Sequence, residues 1–118
     1  MPQYISAQDA ARLLHEGASV YIQAANGEPT ELTSAISADV QSGNGIHFPA
    51  IMLPGVNRTD PASLGENSDA VSFLITPETS QSFKAGRTVF LPLSYSGIMR
   101  YFADSDGFDF ALIQVSPP

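Results

Sequence analysis

The chain contains no cysteine and no tryptophan. Without cysteine, disulfides, thiolate nucleophiles and thiolate metal sites are excluded. Positive charge is scarce: five Lys and Arg stand against twelve Asp and Glu, a net charge of −7. That balance argues against nucleic acid or an anionic membrane surface as a partner. Charged residues make up only 14% of the sequence, well below the roughly 25% usual in soluble domains. So little charge implies that part of the surface is kept against a partner. No apolar run approaches the ~20 residues needed to cross a bilayer. The N-terminus also lacks the basic and apolar regions of a signal peptide. The expectation is a soluble, cytoplasmic protein.

What is present suits one α/β domain: 118 residues, 43% of them apolar, enough for a real core. The chain is organised around Ser19–Leu32. Val20, Tyr21 and Ile22 are β-branched or aromatic and suit a short buried strand, expected over Val20–Ala24. Asn26-Gly27 then breaks the run, because these residues tolerate positive φ. Pro29 is favoured at the first helical position, where its missing N–H is harmless. Leu32, Ile36 and Val40 follow at a spacing of four, one apolar face of a helix over Pro29–Gln41. Strand, glycine turn and helix start bring free N–H groups to the carboxyl end of a strand, where open α/β sheets bind ligands. A full GxGxxG or P-loop is absent, so the same pattern also describes an ordinary first crossover.

Ahead of this unit, Ser6 with Asp9 three residues on predicts an N-cap, and Ala10, Leu13 and Leu14 an apolar stripe. The first helix is expected over Ala7–Glu16, stopped by Gly17. His15 then reads as a solvated helix-end residue. Behind the unit, strands are expected near Ile46–Met52, Val71–Ile75, Thr88–Leu93 and Asp109–Val115. Helices are expected over Pro77–Ala85 and Ser94–Phe102, the latter with Ile98, Tyr101 and Phe102 inward. Pro49 predicts an edge or a bulge in its strand. Leu53–Ala70 reads as an irregular loop of functional length. The last strand is nearly all apolar and predicts Ile113 and Val115 buried between layers. His47 and His15 are the two histidines and lie far apart, so no metal site is expected. Strands alternating with helices predict an open, mostly parallel α/β sheet with flanking helices.

Several stretches, in order, resemble the acetyl-CoA hydrolase/transferase family: Pro54-Gly55-Val56-Asn57-Arg58, Phe90-Leu91-Pro92-Leu93-Ser94-Tyr95-Ser96, and above all Ala111-Leu112-Ile113-Gln114-Val115-Ser116-Pro117-Pro118. Ser6-Ala7 and Gly27-Glu28-Pro29-Thr30 fit the family's opening. The resemblance implies that residues 1–118 are a partial N-terminal domain of a CoA-transferase, from a longer subunit built of two similar α/β halves. It implies a coenzyme A thioester and a small carboxylate as substrates of the parent enzyme, with no covalently bound cofactor. Family members transfer CoA through a glutamyl-CoA thioester, and that glutamate belongs to the C-terminal half. No catalytic residue and no metal ligand is therefore assigned in this chain. The candidate substrate-binding residues are Asn26, Gly27, Glu28, Pro29, Gly55 and Asn57.

Three acids need weighing against this. Gly65-Glu66-Asn67-Ser68 resembles only weakly the nucleophile setting of related two-subunit CoA-transferases, and Glu66 reads as a solvated loop acid. Glu28 and Glu31 read as acids that favour a helix start. The alternatives to an inactive N-terminal part are a non-catalytic binding or assembly module on the CoA-transferase scaffold, or a small enzyme using Glu28, Glu31 or Glu66. A homo-oligomer, or a partner chain carrying the second half, is expected.

Overall fold

Alternating apolar residues build five short parallel strands, β1 (Val20–Ile22), β2 (His47–Ala50), β3 (Asp69–Ser72), β4 (Thr88–Phe90) and β5 (Phe110–Leu112). The computed structural model describes residues 1–39 and 41–117. The strands form one open sheet in the order β4-β3-β2-β1-β5, parallel throughout. The helices are α1 (Ala7–Arg12), α2 (Thr30–Ala38), α3 (Ser80–Lys84) and α4 (Tyr95–Asp104). The α/β class and the open parallel sheet are as the sequence predicts. No helix among the described residues is long and apolar enough to cross a membrane.

Side chains one and three along a strand share a face. Val20, Ile22, Phe48, Ala50 and Ala70 pack on one face with Ala11 and Leu14, and with Ala35 and Ile36 of α2. On the other face Val71 and Phe73 meet Ile98, Tyr101 and Phe102 from α4 and the residues it carries. Phe102 sets its ring edge-on to Tyr21 at 5.8 Å and to Phe73 at 5.5 Å, a favourable aromatic geometry. Helix α4 thus crosses beneath the middle of the sheet and returns the chain to the far side of β1. The direction of travel reverses there, so β1 and β5 flank a switch point in the strand order; the crevice at the carboxyl ends of the strands beside such a point is the usual ligand position in open α/β sheets.

Local signals hold best. Ser6 Oγ accepts from Asp9 N–H at 3.0 Å and caps α1, and Ser94 Oγ accepts from Gly97 N–H at 3.2 Å and caps α4. α1 ends at Arg12 rather than Glu16, because Gly17 N–H turns to the Gly45 carbonyl, 2.9 Å away. His15 is exposed beyond that end. α2 starts at Thr30, so Pro29 stands just before the first helical position expected for it and no side chain caps the helix there; the helix buries Ile36 with Thr33 and Ala35. Val40, the third residue of the predicted apolar face, lies outside the described residues.

Four expectations need correction. Pro49 sits in an interior strand, not at an edge, since β2 lies between β3 and β1. Odd-numbered residues of β2 face β1, as His47 N–H donating to the Ala18 carbonyl at 2.9 Å shows. The missing Pro49 N–H is therefore withheld only from β1, where the pairs Ser19↔His47 and Ile22↔Ala50 keep one register across a gap. Pairing to β3 runs unbroken through Pro49↔Val71. β2 ends at Ala50 and β3 begins at Asp69, earlier than Val71, so the irregular segment runs over 51–68, displaced by two residues from Leu53–Ala70 but no shorter, and holds a 3-10 turn at Pro61–Ser63. Lastly, β5 is an edge strand that ends at Leu112, and Ile113 and Val115 are 55% and 76% exposed rather than buried. Phe110 and Leu112 reach the core beside α1 and α2, but α4 does not extend under β5.

Candidate functional site

The carboxyl end of β1 continues through Gln23 and Ala24 into one 3-10 turn, Ala25–Gly27, and then Glu28 and Pro29, just before α2. The left-handed residue of this turn is Ala25, at φ +53°, and not Asn26 or Gly27. An L-residue in that region is strained by roughly 1–2 kcal/mol, so something must hold it.

Asn57 does so. Its Oδ1 accepts from Ala25 N–H at 3.1 Å and Leu53 N–H at 2.8 Å, while Nδ2 donates to the Ala25 carbonyl at 3.0 Å. Asn57 is 1% exposed, so its amide ties the loop after β1 to the loop after β2. Nδ2 also lies 3.3 Å from Glu28 Oε2. Gly55, at φ +77°, forms the exposed tip of the same loop.

Glu28 is not a cap of α2, a correction to the sequence reading. Its carboxylate turns away from the helix and accepts from Thr59 N–H at 2.9 Å and Arg58 N–H at 3.2 Å. Partial burial pushes its pKa up, but hydrogen bonds from Thr59, Asn57 and Arg58 outweigh burial and leave it below the ordinary glutamate value. Glu31 stays in the first turn of α2, exposed. Glu66 is exposed in a turn.

Across the crevice, Gln23 N–H donates to the Leu112 carbonyl at 2.9 Å, and Gln23 Oε1 accepts from Gln114 N–H at 2.9 Å. A cleft of about 510 Å³ lies between Pro29, Thr30, Glu31 and Leu32 on one wall and Ile113, Gln114 and Val115 on the other. It is within the size range of small-molecule sites. Glu31 is the one charged residue lining it. No Lys or Arg is there to meet a phosphate group, whereas Pro29, Leu32, Ile113 and Val115 suit an uncharged, flexible arm.

Of the candidate residues, Pro29 lines the cleft. Asn26, Gly27 and Glu28 lie behind it, and Gly55 and Asn57 belong to the loop that braces the turn. Gln23, Thr59 and the wall Ile113–Val115 escaped sequence reasoning. For the wall two signals exist: it belongs to the stretch Ala111–Pro118 that resembles the family, and its apolar character reads as core.

A second cavity, of about 260 Å³, opens at the amino ends of the strands, with Ser19, His47 and Asp106 against Tyr101, Phe102 and Phe108. His47 Nδ1 meets the Asp69 carboxylate on the neighbouring strand. Among the described residues no three His, Asp or Glu gather as a metal site. Compared with known proteins, the sequence matches no family model and no curated protein.

Proposed function

We propose that this chain is the N-terminal part of an acyl-CoA:carboxylate CoA-transferase or acetyl-CoA hydrolase. In this reading it supplies the wall that receives the acyl and pantetheine arm of a CoA thioester. By itself it has no turnover. One observation carries the reading: Pro29 and Thr30, from the stretch Gly27–Thr30, and Ile113–Val115, from the stretch Ala111–Pro118, both stretches resembling the family, line opposite walls of one cleft.

The chemistry of the cleft sets limits on that role. Apolar walls and the backbone of Gln114 suit the amide-bearing, uncharged pantetheine arm. A nucleotide end carrying several phosphates finds no cation among the lining residues and must lie outside the cleft. Transfer needs a carboxylate free to attack the thioester carbonyl. Glu28 is held by three neighbours and Glu66 lies in a distant turn, so Glu31 is the one acid of the three at the cleft.

The test is a titration of the isotope-labelled chain with pantetheine and, separately, with coenzyme A, read by amide chemical shifts. Shifts of Thr30–Leu32 and Ile113–Val115 with similar affinities for both ligands are expected. Incubation with acetyl-CoA and succinate should give no exchange above background. Turnover at an enzymatic rate, abolished by Glu31→Gln, overturns the non-catalytic reading. Silence of both cleft walls toward both ligands overturns the binding role.

A further inference from the structure

We propose that Gln23 is the positioning residue of this cleft, its side-chain amide fixing the segment after β5 at the distance from α2 that the ligand arm requires. The inference rests on the reading of the cleft as a pantetheine site. β5 ends at Leu112, and beyond it no strand pairing holds Ile113–Val115, which form one whole wall. The main-chain bond from Gln23 N–H to the Leu112 carbonyl is the last rung between β1 and that segment. Past it, the bond from Gln114 N–H to Gln23 Oε1 spans 91 residues of sequence and ties the wall to the β1 side of the crevice. Ile113 and Val115, more than half exposed, have too little burial to hold the wall themselves.

Gly27 belongs to the same device. A Cβ built on Gly27 would overlap the Cδ and Nε2 of Gln23. Gly27 does not have a positive φ, so backbone freedom does not require glycine there. The requirement is space: Gly27 lies against the end of the Gln23 side chain in the position from which it reaches Gln114. A methyl group at position 27 should push the Gln23 amide off its partner while leaving the chemical identity of both hydrogen-bonding groups unchanged.

Three variants of the full chain test this, with hydrogen exchange at the Gln114 amide and pantetheine affinity as readouts. Gln23→Ala and Gly27→Ala should expose the Gln114 amide and weaken pantetheine about fivefold to tenfold, the equivalent of one ordinary hydrogen bond. Gln23→Glu keeps the acceptor, so it should retain Gln114 protection and bind within about twofold of the parent. Should Gln23→Ala prove poorly folded, Gly27→Ala carries the same comparison. Undiminished affinity once Gln114 has lost protection overturns the proposal. Weak binding by Gln23→Glu with Gln114 still protected also overturns it, since that result means direct contact with the ligand. If pantetheine leaves the parent cleft unperturbed, the ligand reading fails, and with it the positioning role. Exchange at Gln114 then still decides separately whether the clasp forms.

Discussion

Replacing Asn57 by Ala removes the side chain that holds both main-chain groups of Ala25 in the β1 turn. Three main-chain groups lose their partner: Ala25 N–H, Leu53 N–H and the Ala25 carbonyl. Leaving a buried polar group unpaired costs roughly 1–3 kcal/mol. Ala25 is exposed and Leu53 half-buried, so water reaches part of the gap and the low end applies, about 3 kcal/mol in all. For a domain of this size that corresponds to a melting temperature lower by roughly 12 °C. Chemical denaturation of the parent, Asn57→Ala and Asn57→Asp measures it. Asn57→Asp keeps the acceptor for both N–H groups but loses the donor to the Ala25 carbonyl and sets a carboxylate beside Glu28. At pH 7 it should be no better than Ala. Ala25→Gly, which removes the left-handed strain, should stabilise the parent by up to about 1 kcal/mol and recover a similar amount in Asn57→Ala. A loss below ~1 kcal/mol for Asn57→Ala, with the Ala25 and Leu53 amides still protected, would refute the bracing role.

The lowered pKa of Glu28 makes its contribution present above the unfolded-chain pKa and lost as pH falls through the folded value; the melting-temperature gap between the parent and Glu28→Gln should therefore be widest near pH 7 and close in acid, and a gap that is constant down to pH 3 contradicts it. Ile113→Lys should change stability by under about 0.5 kcal/mol, because Ile113 is more than half exposed; a loss of several kcal/mol by denaturation would restore the buried reading of β5. Exposed Tyr95, Met99, Ile113 and Val115, with charge screened beyond about 8 Å at physiological salt, predict self-association that grows with concentration, and one monomer mass across a hundredfold range in sedimentation equilibrium would count against it.

The sequence carries those parts of the fold that depend on near neighbours. Ser6 with Asp9 is a contact within one turn, and that cap forms as read; the Ser94 cap on Gly97 N–H is equally local but was read only as a helix start. β-Branched and aromatic character placed Val20–Ile22 in a strand, and alternation with apolar neighbours marked the strand at His47, because burial on a face repeats every second residue. Ends of elements were less legible, since they are set by distant partners. Gly17 ends the approach to β1 by bonding to Gly45, and β3 starts early because Asp69 N–H finds the Ile46 carbonyl at 3.1 Å. Pro49 shows the limit of a one-residue rule. In a parallel strand, successive N–H groups point to opposite neighbours, so a proline breaks one ladder and spares the other. Whether that strand is interior depends on sheet order, which no local pattern contains.

The site divides in the same way. Strand, turn and helix start were readable from Val20 to Leu32, and so was the place where they converge. The forces that hold them were not. Asn57 reaches Ala25 across 32 residues, Glu28 reaches Thr59 across 31, and Gln23 reaches Gln114 across 91. Each is a single amide or carboxylate meeting a backbone group, and a backbone partner leaves no mark on residue identity. Glu28 beside a helix start has the sequence signature of a capping acid. It lacks that role because its carboxylate is taken up by the Arg58 and Thr59 N–H groups of the loop after β2, with the Asn57 amide beside them. The apolar run Ile113–Val115 has the signature of a buried strand, yet an edge strand covered on one face leaves its alternate side chains open. At the mouth of the crevice such open apolar side chains form a wall rather than a core, and a wall needs a tether that burial does not supply. Gln23 meets that need, being long enough to cross from β1 to the segment beyond β5 and polar enough to bond its backbone there.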